Sequence, residues 1–219
     1  MTARKIITWP DQKLLKKAER ITTFNDQTRQ LAQDLYDTML VSFGAGLAAT
    51  QVDIQLAMCV VEKSYLPSVS LDPILKDCVV LINPEFDLVG KERYAWVEGC
   101  LSVPSITAKV TRHDVVNLRY QDLSGAVHEC CLKGSESATV QHESDHLVGK
   151  LFIDRLKGDI KRAVRRKLKE ILQPPKPKIK KEIEDDEEEQ EEDQPTCYRK
   201  KVRAKRPKTF GKFKKRKKK

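Results

Sequence analysis

Apolar residues change their spacing several times along the chain, and each change marks an element. Between residues 25 and 43 they fall at Leu31, Leu35, Met39, Leu40 and Phe43, which predicts one helix with Asn25 as its N-cap. Before it, WPDQ (9–12) predicts a turn into a short helical segment. GAGLAATQ (44–51) breaks the helical period. LAMCVVE (56–62) and VVLINPEF (79–86) read as strands, the second closed by Pro84. Residues 115–120 and 126–132 flank QDLSGA and predict a hairpin. A helix is expected over 135–148. Another over 159–172 places Ile160, Val164, Leu168, Ile171 and Leu172 on one face and six basic residues on the others.

This periodicity stops at Leu172, and charge takes over. Residues 174–219 hold 18 Lys+Arg against 10 Asp+Glu, a net of +8, while 1–173 hold 24 against 22, a net of +2. An acidic block at 182–193 precedes a basic run at 199–219, and five of the ten prolines lie beyond Leu172. Blocks of like charge with few apolar residues do not offset the entropy of ordering. The expectation is therefore a folded domain over 1–172 and a disordered acidic-then-basic tail over 173–219. A domain of this length buries about two-thirds of its unfolded surface and needs no staples. The six cysteines form no CxxC pair and no dense framework, which favours a reducing compartment. With no apolar run near a membrane span and no secretory signal at the start, a cytoplasmic setting is expected. Cys130 and Cys131 are adjacent in a presumed strand and are read as packing residues, because neighbours on a strand point to opposite faces.

Chemistry concentrates in QHESDH (141–146). On a helix, positions i and i+4 share a face, so His142 and His146 can aim at one metal ion with Glu143 beside them. A metal that activates water takes three protein ligands and keeps one position open. The third must come from elsewhere. No glycine-and-histidine continuation follows His146, and the other histidines, His113 and His128, stand in no motif. Glu170 lies in the basic helix. Cys100, in EGCLSVP (98–104), is the better candidate, since a thiolate suits iron(II) or zinc.

Three stretches, GAGLAATQ (44–51), EGCLS (98–102) and QHESDHL (141–147), resemble in order and spacing the signature motifs of peptide deformylases. The resemblance covers residues 1–172. It implies an α+β fold, with antiparallel sheets packed around a central helix that bears HExxH. It implies removal of the N-formyl group from the N-terminal methionine of nascent polypeptides, with release of formate. By the same resemblance Cys100, His142 and His146 are the metal ligands and Glu143 is the general acid/base. Gln51 and the backbone N–H of Leu101 hold the oxyanion. The metal is expected to be Fe2+, with Zn2+, Ni2+ or Co2+ as substitutes. Such an ion brings the pKa of water from ~15.7 to about 7.

Gly44, Ala45, Gly46, Glu98 and Gly99 are expected along the substrate peptide, which in this family lies beside the glycine loop as an added strand. Glu98 is also expected to pair with Arg112. Three departures from the family pattern stand out. Ser135, Ala138 and Thr139 replace bulky aliphatic residues at the methionine pocket. Ser144 fills a position that is usually apolar, and Thr107 stands where an arginine is common. Burying a methionine side chain is worth roughly 1.5–3 kcal/mol, so the altered lining bears on selectivity. Two alternatives follow: a metallohydrolase of changed P1′ or acyl specificity, and a ribosome- or RNA-binding protein on the same scaffold. The basic helix and tail are expected to meet ribosomal RNA, through Lys161, Arg162, Arg165, Arg166, Lys167 and Lys169 and through Phe210 and Phe213 stacking on bases.

Overall fold

The computed structural model describes residues 3–71, 75 and 77–173. The expected disordered tail lies outside these residues. A short 3-10 helix, Gln12–Leu15, starts at the end of WPDQ, capped by Asp11, as anticipated. Helix α1 spans Asp26–Val41, and the Asn25 side chain accepts a hydrogen bond from the Thr28 N–H at 3.1 Å, capping one of the free donors of the first turn. Leu31, Ala32, Leu35 and Met39 bury one face of α1. Leu40 and Phe43 do not join that stripe. Leu40 is turned toward solvent, and Phe43 lies beyond the last helical turn at a left-handed φ of 54°.

Five strands form one antiparallel sheet in sequence order: β1 (Gly46–Ala48), β2 (Met58–Glu62), β3 (Cys78–Cys100), β4 (Val103–Gln121) and β5 (Val127–Lys133). The expected break at Pro84 is absent. β3 continues past it, and the register shifts between Ile82 and Glu85 instead. Proline has no N–H for the ladder and fits where pairing is interrupted. Asn83, at a φ of 49°, supports the irregularity: its side chain exchanges hydrogen bonds with the backbone of Ile21 at 2.8 and 2.7 Å. Two further shifts, Val89/Arg93 and Gly99/Cys100, let the long β3–β4 ribbon bend. The predicted hairpin around QDLSGA is present as β4–β5. Of its two cysteines, only Cys131 departs from the packing role expected of both. Cys130 is half-buried against the core, whereas Cys131 is exposed on the opposite face.

β2 explains why the sheet sits where it does. Met58 and Val60 face α1, together with Leu47, Val80 and Ile82. Cys59 and Val61 face the other way, toward Val140 and Leu147 of α2 (Ser135–Leu147). A strand covered on both faces reads as a continuous apolar run, which is what LAMCVVE is. Burial of each such aliphatic side chain stabilises by about 1.5–3 kcal/mol. A third cluster joins Val103, Ile106, Ala108 and Val110 of β4 to α3 (Phe152–Arg155) and α4 (Gly158–Leu172). Only Val164 and Leu168 of α4 are fully buried; Ile160, Ile171 and Leu172 stay half exposed, so its apolar stripe is narrower than predicted.

Candidate metal centre and cleft

α2 enters the site through Gly134, at a φ of 64°, and packs on the sheet through Val140 and Leu147. Its HExxH face points toward the bend where β3 turns into β4, and there the three distant motifs meet. Cys100 Sγ lies 3.5 Å from His146 Nε2. One ligand atom from each of Cys100, His142 and His146 falls within 4.8 Å of the others. A tetrahedral ion with sulfur at about 2.3 Å and nitrogen at about 2.1 Å separates two such donors by about 3.6 Å. One thiol sulfur and two imidazoles at this spacing fit a divalent ion such as iron(II) or zinc.

Each imidazole is oriented from behind or held neutral by burial. His142 Nδ1 pairs with Glu98 Oε2 at 2.7 Å, which leaves Nε2 for the ion. Burial disfavours a charge on His142, but hydrogen bonds to Cys100 and Glu98 and the Glu143 carboxylate outweigh it and push the pKa up to about 10. The surroundings thus favour positive charge at this point, and a proton and a metal ion compete for Nε2. Burial, with His142 and Arg112 nearby, holds His146 well below its ordinary value, so it is neutral with a free lone pair.

The expected Glu98–Arg112 pair is present and buried. Arg112 Nε and Nη2 donate to the two Glu98 oxygens at 2.7 and 2.9 Å, and Nη1 donates to Asp145 Oδ2 at 2.6 Å. Arg155 completes the network by donating to both Asp145 oxygens. Burial alone raises Glu98; the hydrogen bonds from Arg112 and His142 outweigh it and hold its carboxyl below the usual range. Both Glu98 oxygens are therefore committed, and Glu98 supports His142 while lining the cleft. Asp145 and Arg155 were missed in the sequence. The aspartate between the two histidines, at the variable position next to His146, was the available signal.

Glu143 is 5% exposed, and its Oε2 has no hydrogen-bond partner. Burial is the main reason its pKa rises to about 7. A Cβ on Gly46 would lie 2.5 Å from Glu143 Oε1, so any larger residue where the β1 backbone passes the carboxylate would displace it. Gln51 is held on both sides: Oε1 accepts from the Ala48 N–H at 2.9 Å, and Nε2 donates to Ser102 Oγ at 3.0 Å while approaching Cys100 Sγ at 3.4 Å. Ser102 was not anticipated.

A cleft of about 590 Å³ opens onto these groups. Every sequence-derived site residue lines it: Gly44, Ala45, Gly46, Gln51, Glu98, Gly99, Cys100, Leu101, Ser135, Ala138, Thr139, His142, Glu143 and His146. Thr107 lines it as well, with Phe43, Tyr65, Trp96 and Val97, which sequence reasoning did not place there. Ser144 sits behind the motif with its hydroxyl buried and unpartnered. That is the packing defect expected of a polar side chain at this position.

A sequence model of the family described as polypeptide deformylase matches residues 3–162. A peptide deformylase of Wolinella succinogenes is 41% identical over 151 residues, which is 69% of this chain and 86% of that protein. The peptide deformylase of Campylobacter jejuni is 39% identical over 153 residues, covering 70% of this chain and 86% of its own length. The crystal structure of peptide deformylase from Plasmodium falciparum superposes with a TM-score of 0.68 at 36% identity, over 76% of this chain and 94% of that one. Sequence match and fold agree over the same stretch of chain, the stretch that builds this cleft, and the chain therefore belongs to the polypeptide deformylase family of amide-hydrolysing enzymes.

Proposed function

We propose that the protein removes the formyl group from N-formylmethionyl nascent peptides. One observation carries this reading: a buried carboxylate oxygen with no partner, on Glu143, faces a cleft floored by Cys100, His142 and His146. The free edge of β1 supports a peptide substrate. Among the described residues β1 is the first strand of the sheet and pairs only with β2, so its outer edge can accept an extended chain. Cys100, His142 and His146 would hold the ion, most simply Fe2+, with Zn2+, Ni2+ or Co2+ able to use the same donors. When bound, such an ion lowers the pKa of water toward 7 and polarises the formyl oxygen.

The chain's own groups do the rest. Glu143, poised near neutrality by burial, takes a proton from the attacking water and returns it to the departing peptide nitrogen, and the products are formate and a free amine. The Gln51 amide, fixed by Ala48 and Ser102, keeps an N–H at the Cys100 end of the site. With the Leu101 N–H it supplies donors to the oxyanion. Ser135, Ala138 and Thr139 line the pocket for the first side chain and leave it wider and more polar than an all-aliphatic lining would. Arg162, Arg165, Arg166, Lys167 and Lys169 are exposed along α4 and supply a basic face for ribosomal RNA.

Anaerobically loaded protein should contain one metal ion per chain and release formate from formyl-Met-Ala-Ser. A loaded protein that leaves this peptide intact would refute the reading.

A further inference from the structure

Phe43 breaks two rules at once. It occupies a left-handed position, at a φ of 54°, where a bulky side chain is strained. The turn is a helix C-terminal motif, with the Phe43 N–H donating to Leu40 O at 3.1 Å and the Gly44 N–H to Met39 O at 3.0 Å, and glycine is the residue that fits it without penalty. Phe43 also leaves its ring in solvent, at 97% exposure. Packing does not repay the strain, yet the residue lines the substrate cleft. An outlier of this kind points to function.

Its place along the cleft says which function. Gly46 marks the catalytic end, because its backbone passes against Glu143. Phe43 is three residues upstream, at most about 10 Å away, at the far end of the short loop that leads from α1 into β1. A peptide laid on the β1 edge, with its formyl group at Glu143, runs toward that loop and brings its third residue within reach of the Phe43 ring. The first and third side chains of an extended peptide point to the same face. The first enters the pocket of Ser135, Ala138 and Thr139, and Phe43 lines the same cleft. Val97, 69% exposed on β3, adds a second apolar rim residue to that cleft.

Resting on the deformylase reading, we infer that Phe43 is a specificity-determining residue that selects an apolar side chain at the third position of the substrate. The ring and Val97 shield that side chain from water, and a small polar side chain gains nothing from them.

The test compares formyl-Met-Ala-Leu with formyl-Met-Ala-Ser on metal-loaded, full-length enzyme. The ratio of kcat/KM is expected to be about tenfold in favour of leucine. It should fall to near one in Phe43→Gly and persist in Phe43→Leu. Glycine relaxes the backbone, so the melting temperature of Phe43→Gly should hold or rise while selectivity is lost. A ratio near one in the native enzyme, or one unchanged in Phe43→Gly, would overturn the inference while leaving the deformylase reading intact. No formate from either peptide would remove that reading and this inference together.

Discussion

Glu143 should make the protein less stable as the pH rises, and its replacement by glutamine should show how much. Its carboxyl titrates at about 7 in the fold against 4.5 for an unburied glutamate, because burial disfavours the charge. A folded pKa above the unfolded one means that stability is fully present below the unfolded value and is lost as the pH rises through the folded value. At 1.36 kcal/mol per pK unit, the penalty is about 1 kcal/mol at pH 5 and about 3 kcal/mol at pH 8. Glu143→Gln keeps the shape and removes the charge, so the variant should gain on the native protein by about 2.5 kcal/mol between those pH values. A bound cation favours the charged carboxylate, so the measurement is denaturant unfolding of protein held in chelator. The same variant, metal-loaded, should lose 10²–10⁴-fold in kcat, roughly what a positioned general acid/base contributes. Variant and native curves that run parallel from pH 5 to 8 would refute the claim that the carboxylate is held desolvated.

Three other outcomes follow from the geometry. Gly46→Ala places a Cβ 2.5 Å from Glu143 Oε1; activity should fall about 100-fold while metal content, read by elemental analysis, stays at the native level. Glu98→Ala frees His142 Nδ1 and should weaken metal affinity by about 10–100-fold in a competition titration with a chromogenic chelator. Asp122 ties the β4–β5 turn, accepting from the Ser124 N–H, the Ser124 hydroxyl and the Ala126 N–H. Burial raises its pKa, but the bonds from Ser124 and His128 outweigh this and bring it to about 2. A depressed carboxyl stabilises above its unfolded pKa and loses that contribution as the pH falls. Asp122→Asn should therefore lower the melting temperature by about 2–4 °C at pH 6, with the gap closing between pH 4 and 2.

Local pattern was sufficient for much of the fold. The period of Leu31, Leu35 and Met39 was enough for α1, and the Asn25 cap followed from residue type alone. The turn residues of QDLSGA were enough for the hairpin. Where local signals failed, a long-range contact had overruled them. Pro84 reads as a strand end by itself, but the Asn83 side chain, anchored to Ile21, absorbs the irregularity and lets β3 continue. Phe43 reads as part of an apolar stripe, but the helix ends two residues before it and leaves its ring exposed at the rim of the cleft.

By itself, the sequence determined which side chains can do chemistry. A histidine pair four apart on a helix shares a face whatever surrounds it, because 3.6 residues make a turn, and a cysteine between a glycine and a proline-bearing turn is an open donor. Only the tertiary structure decided that these groups share one point. That required a bent ribbon to bring Cys100 within 3.5 Å of His146. It also required a buried arginine to hold Glu98 and Asp145 behind the ligands. The neutral bias at Glu143 comes from burial, and the preference for positive charge at His142 comes from Cys100, Glu98 and Glu143 brought around it; no stretch of sequence carries either until the chain has closed.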